Sequence, residues 1–253
     1  MGEIIAMLSG KGGTGKTSAC AGLAIALAES GKRVLCIDCD VGLRNLDISL
    51  GLTEGCALSF LEVSEGGYSL DQAMVHPHFA TLFFLTAPMN RSVEKIDLAA
   101  FGEMLRQARK RFDYVFLDAA AGVDSGFRLA ATHADRCVLV TGPGPAAVRD
   151  AARVGELLEL MGKKDVRMIV NRVDKSMLSY LRVTIDDVMD TTGLALLGVV
   201  LEDSNVVLAA ACGEPLTRFS KRCAAAGAYR RIAKRIQGIP VPITYRKRYL
   251  MKE

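Results

Sequence analysis

Lys16 and Thr17 place an ammonium and a hydroxyl directly after the glycine-rich run Gly10-Lys11-Gly12-Gly13-Thr14-Gly15. Gly10, Gly15, Lys16 and Thr17 fit the spacing G-x-x-x-x-G-K-[ST], in which glycines let backbone N–H groups turn inward around phosphate oxygens. Lys16 would reach the β- and γ-phosphates of a nucleoside triphosphate, and the Thr17 hydroxyl would ligate Mg²⁺. Gly12, Gly13, Thr14, Gly15 and Ser18 would complete the cradle, backed by the partial positive charge of a helix N-terminus. The same letters, Gly10-x-Gly12-x-x-Gly15, also satisfy the dinucleotide fingerprint G-x-G-x-x-G, with Asp38 about 20 residues on where a ribose-binding acid belongs. A nicotinamide-dependent oxidoreductase is therefore a remote alternative. Lys16-Thr17 weighs against it, because a dinucleotide fold has no use for that ammonium and hydroxyl.

Apolar runs of strand length recur at 4–8, 34–38, 82–86, 114–118, 136–141, 166–170 and 195–200, with helical patterns at 16–29, 94–111, 125–132, 146–161 and 180–190 between most of them. Such alternation implies parallel strands joined by right-handed crossovers. The expected fold is α/β: a three-layer P-loop NTPase with a mostly parallel sheet of about seven to eight strands and helices on both faces. The segment 52–78 reads as loops with a short helix, and from 203 the chain turns helical at 203–211 and 216–236. Residues 1–239 form one domain in this reading, and 240–253 a basic tail.

In an open parallel sheet the ligand lies at the carboxyl ends of the strands. Those ends carry Asp38 and Asp40, Asp118, and Asn171-Arg172. Three acids and an amide suit a Mg–nucleotide site, and Asp118 has the position of an acid that holds Mg²⁺ through water.

With 253 residues, half of them hydrophobic, the chain can bury a large core. No apolar run approaches the length of a membrane span, and residues 1–12 are too short and too glycine-rich to read as a signal peptide. The seven cysteines are scattered and several lie in apolar segments, which suits thiols in a reducing cytosol. Cys36-x-x-Cys39 has metal spacing but no second pair. From Arg218 onward there are eleven basic residues against Glu253 alone, a net +10; the whole chain carries +4, so residues 1–217 carry −6. A basic end of this kind calls for an anionic partner, a membrane surface or nucleic acid.

Lys11-Gly-Gly-Thr-Gly-Lys16-Thr17, with its second, early lysine, resembles the ParA/MinD family of deviant Walker A ATPases. Asp38-Cys-Asp40-Val-Gly42-Leu-Arg44-Asn45-Leu-Asp47 and Gly213-Glu-Pro215 are similar to the MinD group within it, the septum-site ATPases of bacterial division. The resemblance covers residues 1 to about 236. It implies an ATP- and Mg²⁺-dependent ATPase that forms a homodimer on ATP and binds an anionic membrane. Lys11 would cross the dimer interface to the partner's phosphates, Asp40 would orient the attacking water, and Asn171 would read the adenine edge. Arg44 and Asn45 would lie in a first switch and Gly122 in a second. Val148-Arg149-Asp150 matches a surface used by a MinC-like inhibitor and a MinE-like activator, on the helix 146–161. The resemblance implies a cytoplasmic protein peripheral to the inner membrane, with nucleic acid an unlikely partner. A ParA-like partition ATPase, holding DNA non-specifically through 218–235, is the alternative within the family. The chain departs from the family pattern at Ala120, where proline is usual, and at Ala152, where a second acid is common. Its tail offers only Ile243, Tyr249, Leu250 and Met251 for insertion.

Overall fold

A computed structural model, described for residues 1–52, 57–89 and 92–243, contains an eight-stranded sheet. The strands are β1 (Glu3–Leu8), β2 (Val34–Cys39), β3 (Met74–His76), β4 (Phe79–Leu85), β5 (Tyr114–Ala119), β6 (Arg136–Thr141), β7 (Asp165–Val173) and β8 (Ala195–Leu201). Their spatial order is β3-β4-β2-β5-β1-β6-β7-β8, and every pairing is parallel except β3 with β4. The chain crosses β1 between β5 and β6, so the loop after β1 lies where the winding direction reverses. Ligands bind at that point of an open sheet.

Side chains alternate across each strand, so each central strand feeds two cores. Ile5, Met7, Val34, Cys36 and Phe116 face one core; Ile4, Ala6, Leu8, Leu35, Ile37 and Leu117 face the other. The first core is covered by α1 (Lys16–Glu29), α2 (Leu46–Leu50), α9 (Ser204–Ala211), α10 (Leu216–Phe219) and α11 (Ala224–Ile236). The second lies under α3 (Phe60–Ser64), α4 (Leu98–Ala108), α5 (Ser125–His133) and α6 (Pro145–Leu160). α7 (Lys175–Leu181) and α8 (Ile185–Thr192) close a smaller cluster against β7 and β8. α1 is apolar nearly all round because it is sandwiched between the sheet and α11. Gly22 makes that possible: a Cβ there would lie 2.3 Å from the ring of Tyr229, which is fully buried on α11.

Several expected boundaries move. β3 is a strand within the segment read as irregular; it has three residues and a bulge, too few for an alternating pattern. The helix expected over 94–111 starts at Asp97, whose carboxylate accepts from the N–H groups of Ala99 and Ala100. The one expected over 180–190 is two helices, separated at left-handed Arg182 and restarted by a capping box of Thr184 with Asp187. The one over 216–236 also divides, and Cys223 caps the second part through its sulfur. Beyond α11, Arg235 donates to the carbonyls of Leu197, Val241 and Pro242, fixing residues 241 and 242 against β8. Tyr249, Leu250, Met251 and the tail cations lie outside the described residues. Among the described residues no helix is long and apolar enough to cross a membrane.

Candidate nucleotide site

The loop between β1 and α1 is shaped by its glycines. Gly13 and Gly15 both have φ near 80°, a left-handed conformation that a side chain resists. Gly15 also faces Asn171 so closely that a Cβ would lie 2.3 Å from its Nδ2. α1 therefore begins at a glycine with no side-chain cap, leaving the N–H groups of its first turn for a ligand. The Ser9 Oγ and Thr14 Oγ1 atoms are buried without hydrogen-bond partners. This cradle fits a polyphosphate with its metal.

Lys16 is buried, its Nζ 2.7 Å from Asp118 Oδ1 and 3.3 Å from Thr17 Oγ1. Burial alone would lower its pKa, but the charge and hydrogen bond of Asp118 win and hold it above the ordinary lysine value. Thr17 and Asp118, the two expected Mg²⁺ ligands, thus converge on one ammonium. The described residues contain no group of three or more metal-ligating acids, histidines or cysteines. That accords with Mg²⁺ sites built from one or two protein groups plus substrate phosphates. Cys36 and Cys39 face opposite cores and cannot chelate one ion together.

Asp38 and Asp118 are register neighbours on β2 and β5. Asp38 is buried, and burial followed by the charge of Asp118 pushes its pKa up to about 7. Its two oxygens accept from the N–H groups of Asp40 and Leu46, at 2.9 and 3.1 Å. Asp38 therefore ties down both ends of the segment 40–46 and does for α2 what Asn45, at the cap position, does not. Asp40 is half-buried at the strand tip, and its Oδ1 accepts from Gly42 and Leu43, both at 3.3 Å. Arg44 has a positive φ of 47° and donates from Nε to Thr86 Oγ1 at 3.0 Å. Across the site, Gly122 at φ 96° donates to Ser9 O at 3.0 Å, so the turn after β5 rests on the start of the loop.

Asn171 lies near the end of β7, beside the loop. Its side chain is buried, and Nδ2 donates to Thr14 O at 2.8 Å and Gly15 O at 3.3 Å, so its donor end holds the loop. Arg172, with φ 55°, donates to Gly13 O at 2.9 Å and pairs with Glu202 at 2.9 Å. Both residues brace the loop from β7, three strands away from β5. They also line a cavity of about 130 Å³ beside Gly15 and Ser18, closed by Glu202, Asp203 and Tyr229. Its position next to the phosphate loop suits a nucleoside. Asp203, Glu202 and Tyr229 escaped the sequence reading because no motif marks them.

Lys11 is exposed at the outer end of the loop and makes no hydrogen bond or ion pair with any described residue. On α6 the expected partner surface is narrower than its three residues suggest. Val148 is buried in the small cluster, and the Asp150 backbone packs so tightly against Gly10 that a Cβ there would lie 2.9 Å from it. Only Arg149 of the three is exposed, beside Arg153 and Glu156. The reason is helical period: 148 and 151 face the sheet, 149 and 153 face away.

Residues 5–216 match the family model described as the CobQ/CobB/MinD/ParA nucleotide binding domain. The chain is 38% identical over 248 residues to the septum site-determining protein MinD of Bacillus subtilis, covering 96% of this chain and 92% of that one. Its fold superposes on MinD in the MinC:MinD cell division protein complex of Aquifex aeolicus with a TM-score of 0.88 and 32% identity, covering 96% of this chain and 99% of the other. It likewise matches MinD of Pyrococcus horikoshii complexed with Mg-ADP, at a TM-score of 0.82 and 28% identity, covering 93% and 96%.

Proposed function

From its membership of the CobQ/CobB/MinD/ParA nucleotide-binding family, to which this chain belongs, we propose that it is a MinD-like, Mg²⁺-dependent ATPase of bacterial division-site placement. It dimerises on ATP and attaches to the cytoplasmic face of an anionic membrane. The observation that carries this reading is the division of labour between two lysines of one loop. Lys16 is buried on Asp118, and Lys11 projects into solvent with no partner among the described residues of its own subunit.

Binding of ATP would separate the Lys16–Asp118 pair. Lys16 would move its ammonium to the β- and γ-phosphate oxygens, and Thr17 and Asp118 would hold Mg²⁺, Asp118 through water. The loop N–H groups and the N-terminus of α1 take the remaining phosphate charge. Asn171 and Arg172 keep the loop carbonyls turned away from the phosphates. The metal, when bound, would supply positive charge that offsets the charge of the phosphate chain. Asp40 orients a water in line with the γ-phosphorus; the new P–O bond forms as the β,γ-bridging bond breaks, giving ADP and phosphate. Lys11 reaches across to the second subunit's phosphates, so ATP joins the two subunits and hydrolysis frees them. Residues 40–46, fastened to Asp38, and Gly122, fastened to Ser9, would sense the γ-phosphate in this reading, which their bonds beside the loop support.

The tail would couple attachment to dimerisation. Arg246, Lys247, Arg248 and Lys252 each contribute about 1 kcal/mol at an anionic surface. One tail then binds with roughly millimolar affinity, and two on one dimer gain about 10²–10⁴ in avidity. The Aquifex MinC:MinD complex makes a MinC-like inhibitor the natural partner, and Arg149 and Arg153 on α6 are its expected contacts. The test is sedimentation with anionic liposomes in ATP, ADP or no nucleotide, beside sedimentation velocity in solution. ATP alone should produce both dimer and liposome binding, and truncation after Pro242 should abolish the second while sparing the first. Salt-sensitive binding to random duplex DNA, with none to liposomes, would instead favour the ParA-like alternative.

A further inference from the structure

A cavity of about 430 Å³ lies at the opposite end of the sheet from the nucleotide loop. Its floor is backbone: Gly2 N–H donates to Arg109 O at 2.8 Å and Glu3 N–H to Asp113 O at 2.9 Å. Gly2 is required there, since a Cβ would lie 1.9 Å from Phe112 O. The rim carries Lys32, from the turn after α1, and Arg109, Lys110 and Arg111, from the end of α4.

The charges on that rim are unevenly neutralised. Arg109 pairs with Asp135 at 2.6 Å, and Arg111 with Asp71. The two lining carboxylates are engaged as well. Glu3 pairs with Arg136, and Asp113 accepts from the Arg33 N–H. The ammonium groups of Lys32 and Lys110 have no hydrogen bond or ion pair with a described residue. Basic residues at helix C-termini commonly answer the last carbonyls of the helix. That explains a lysine at either end, but not the turning of two helix ends into one polar cleft with two ammonium groups left over.

The cleft also adjoins the root of the tail. Arg136 bridges the two: it pairs with Glu3 on the cleft wall at 3.2 Å and donates to Ile236 O, at the end of α11, at 3.3 Å. Arg235 holds the next residues in place, so the basic tail starts from the end of the molecule that carries the cleft.

We propose that this cleft binds a phosphoryl anion through Lys32 and Lys110, as a second anion site separate from the nucleotide loop. An oxygen-rich group of one to two negative charges matches two free ammonium groups, and a lysine ammonium grips phosphate as a point charge. Such a group reaches the cleft either as a lipid headgroup or as a free phosphate. The lipid source rests on the membrane reading above; the free phosphate does not.

The test uses the full chain with saturating Mg²⁺ and a non-hydrolysable ATP analogue, so that the nucleotide loop is filled and the state that binds vesicles is populated. Reactivity of each lysine toward an amine-acylating reagent is read by mass spectrometry, alone, with vesicles of phosphatidylcholine and phosphatidylglycerol, and with millimolar inorganic phosphate. Lys32 and Lys110 should be protected severalfold in at least one arm, and Lys175, exposed on α7, in neither. Protection by vesicles alone assigns the lipid headgroup, and protection by phosphate assigns the free anion. Where vesicles protect, Lys32→Ala with Lys110→Ala should weaken ATP-dependent vesicle binding at least about 30-fold without altering ATP turnover in solution. Vesicle binding with no protection in either arm overturns the cleft while leaving the membrane reading intact. If the full chain never binds vesicles, the membrane reading fails and the phosphate arm alone decides the cleft.

Discussion

Lys16 and Asp118 form a buried ion pair, Nζ to Oδ1 2.7 Å, that joins the first turn of α1 to the end of β5. Two residues expected to serve different parts of one ligand are thus each other's counter-charge, beside a second buried carboxylate, Asp38. Removing one member strands the other. Lys16→Ala should destabilise the nucleotide-free protein by about 3–5 kcal/mol in urea denaturation, and adding Asp118→Asn should recover a large part of it. Additive losses in the double variant would show that the pair is not coupled.

Asp38 should imprint a pH dependence on stability. Its folded-state pKa, about 7, lies above the ordinary aspartate value of 3.8, so folding favours the neutral form. That contribution is complete below about pH 4 and is lost as pH rises through about 7, at most roughly 4 kcal/mol in all. Asp38→Asn is neutral throughout. The Tm of the variant relative to the parent should therefore be higher at pH 8 than at pH 5, without nucleotide. An equal difference at both pH values would mean that Asp38 does not titrate in that window.

Asp40→Ala should keep ATP binding and lower turnover by at least about 10²-fold, accumulating an ATP-bound dimer. Asp40 sits at the tip of β2 with only two long contacts, from Gly42 and Leu43, so its carboxylate is available to a water. Phosphate release and sedimentation velocity decide the matter: hydrolysis at the parent rate removes Asp40 from the role.

Lys11→Ala and Lys16→Ala should separate dimerisation from binding. The exposed Lys11 has no partner among the described residues of its own subunit, whereas Lys16 is buried under the loop. The first variant should stay monomeric in ATP yet bind nucleotide, and the second should lose nucleotide binding itself. Fluorescent-nucleotide titration with sedimentation velocity reads both. Equal effects of the two changes would remove the in-trans role.

What the sequence determined by itself was the part of the molecule whose signals are local. Parallel strands buried on both faces read as apolar runs, and seven of the eight were visible for that reason. α1 was legible to the residue, because the glycines that shape the loop also set where the helix begins. The loop's chemistry needed only the spacing of Gly10, Gly15, Lys16 and Thr17. Tertiary structure decided the rest. β3 exists because the edge of β4 offers it a ladder, and the break at Arg182 depends on a backbone conformation that no periodicity records. Asn171 and Arg172 could be placed at a strand end from sequence, but their grip on Thr14, Gly15 and Gly13 comes from the packing of β7 against β6, beside β1. Asp38 and Asp118 share a register only once β2 and β5 are paired, and burial there, followed by the charge of Asp118, raises the pKa of Asp38. Hydrophobic period reports how far each side chain leaves water; which charges then meet is set by strand order and register, which the period does not encode.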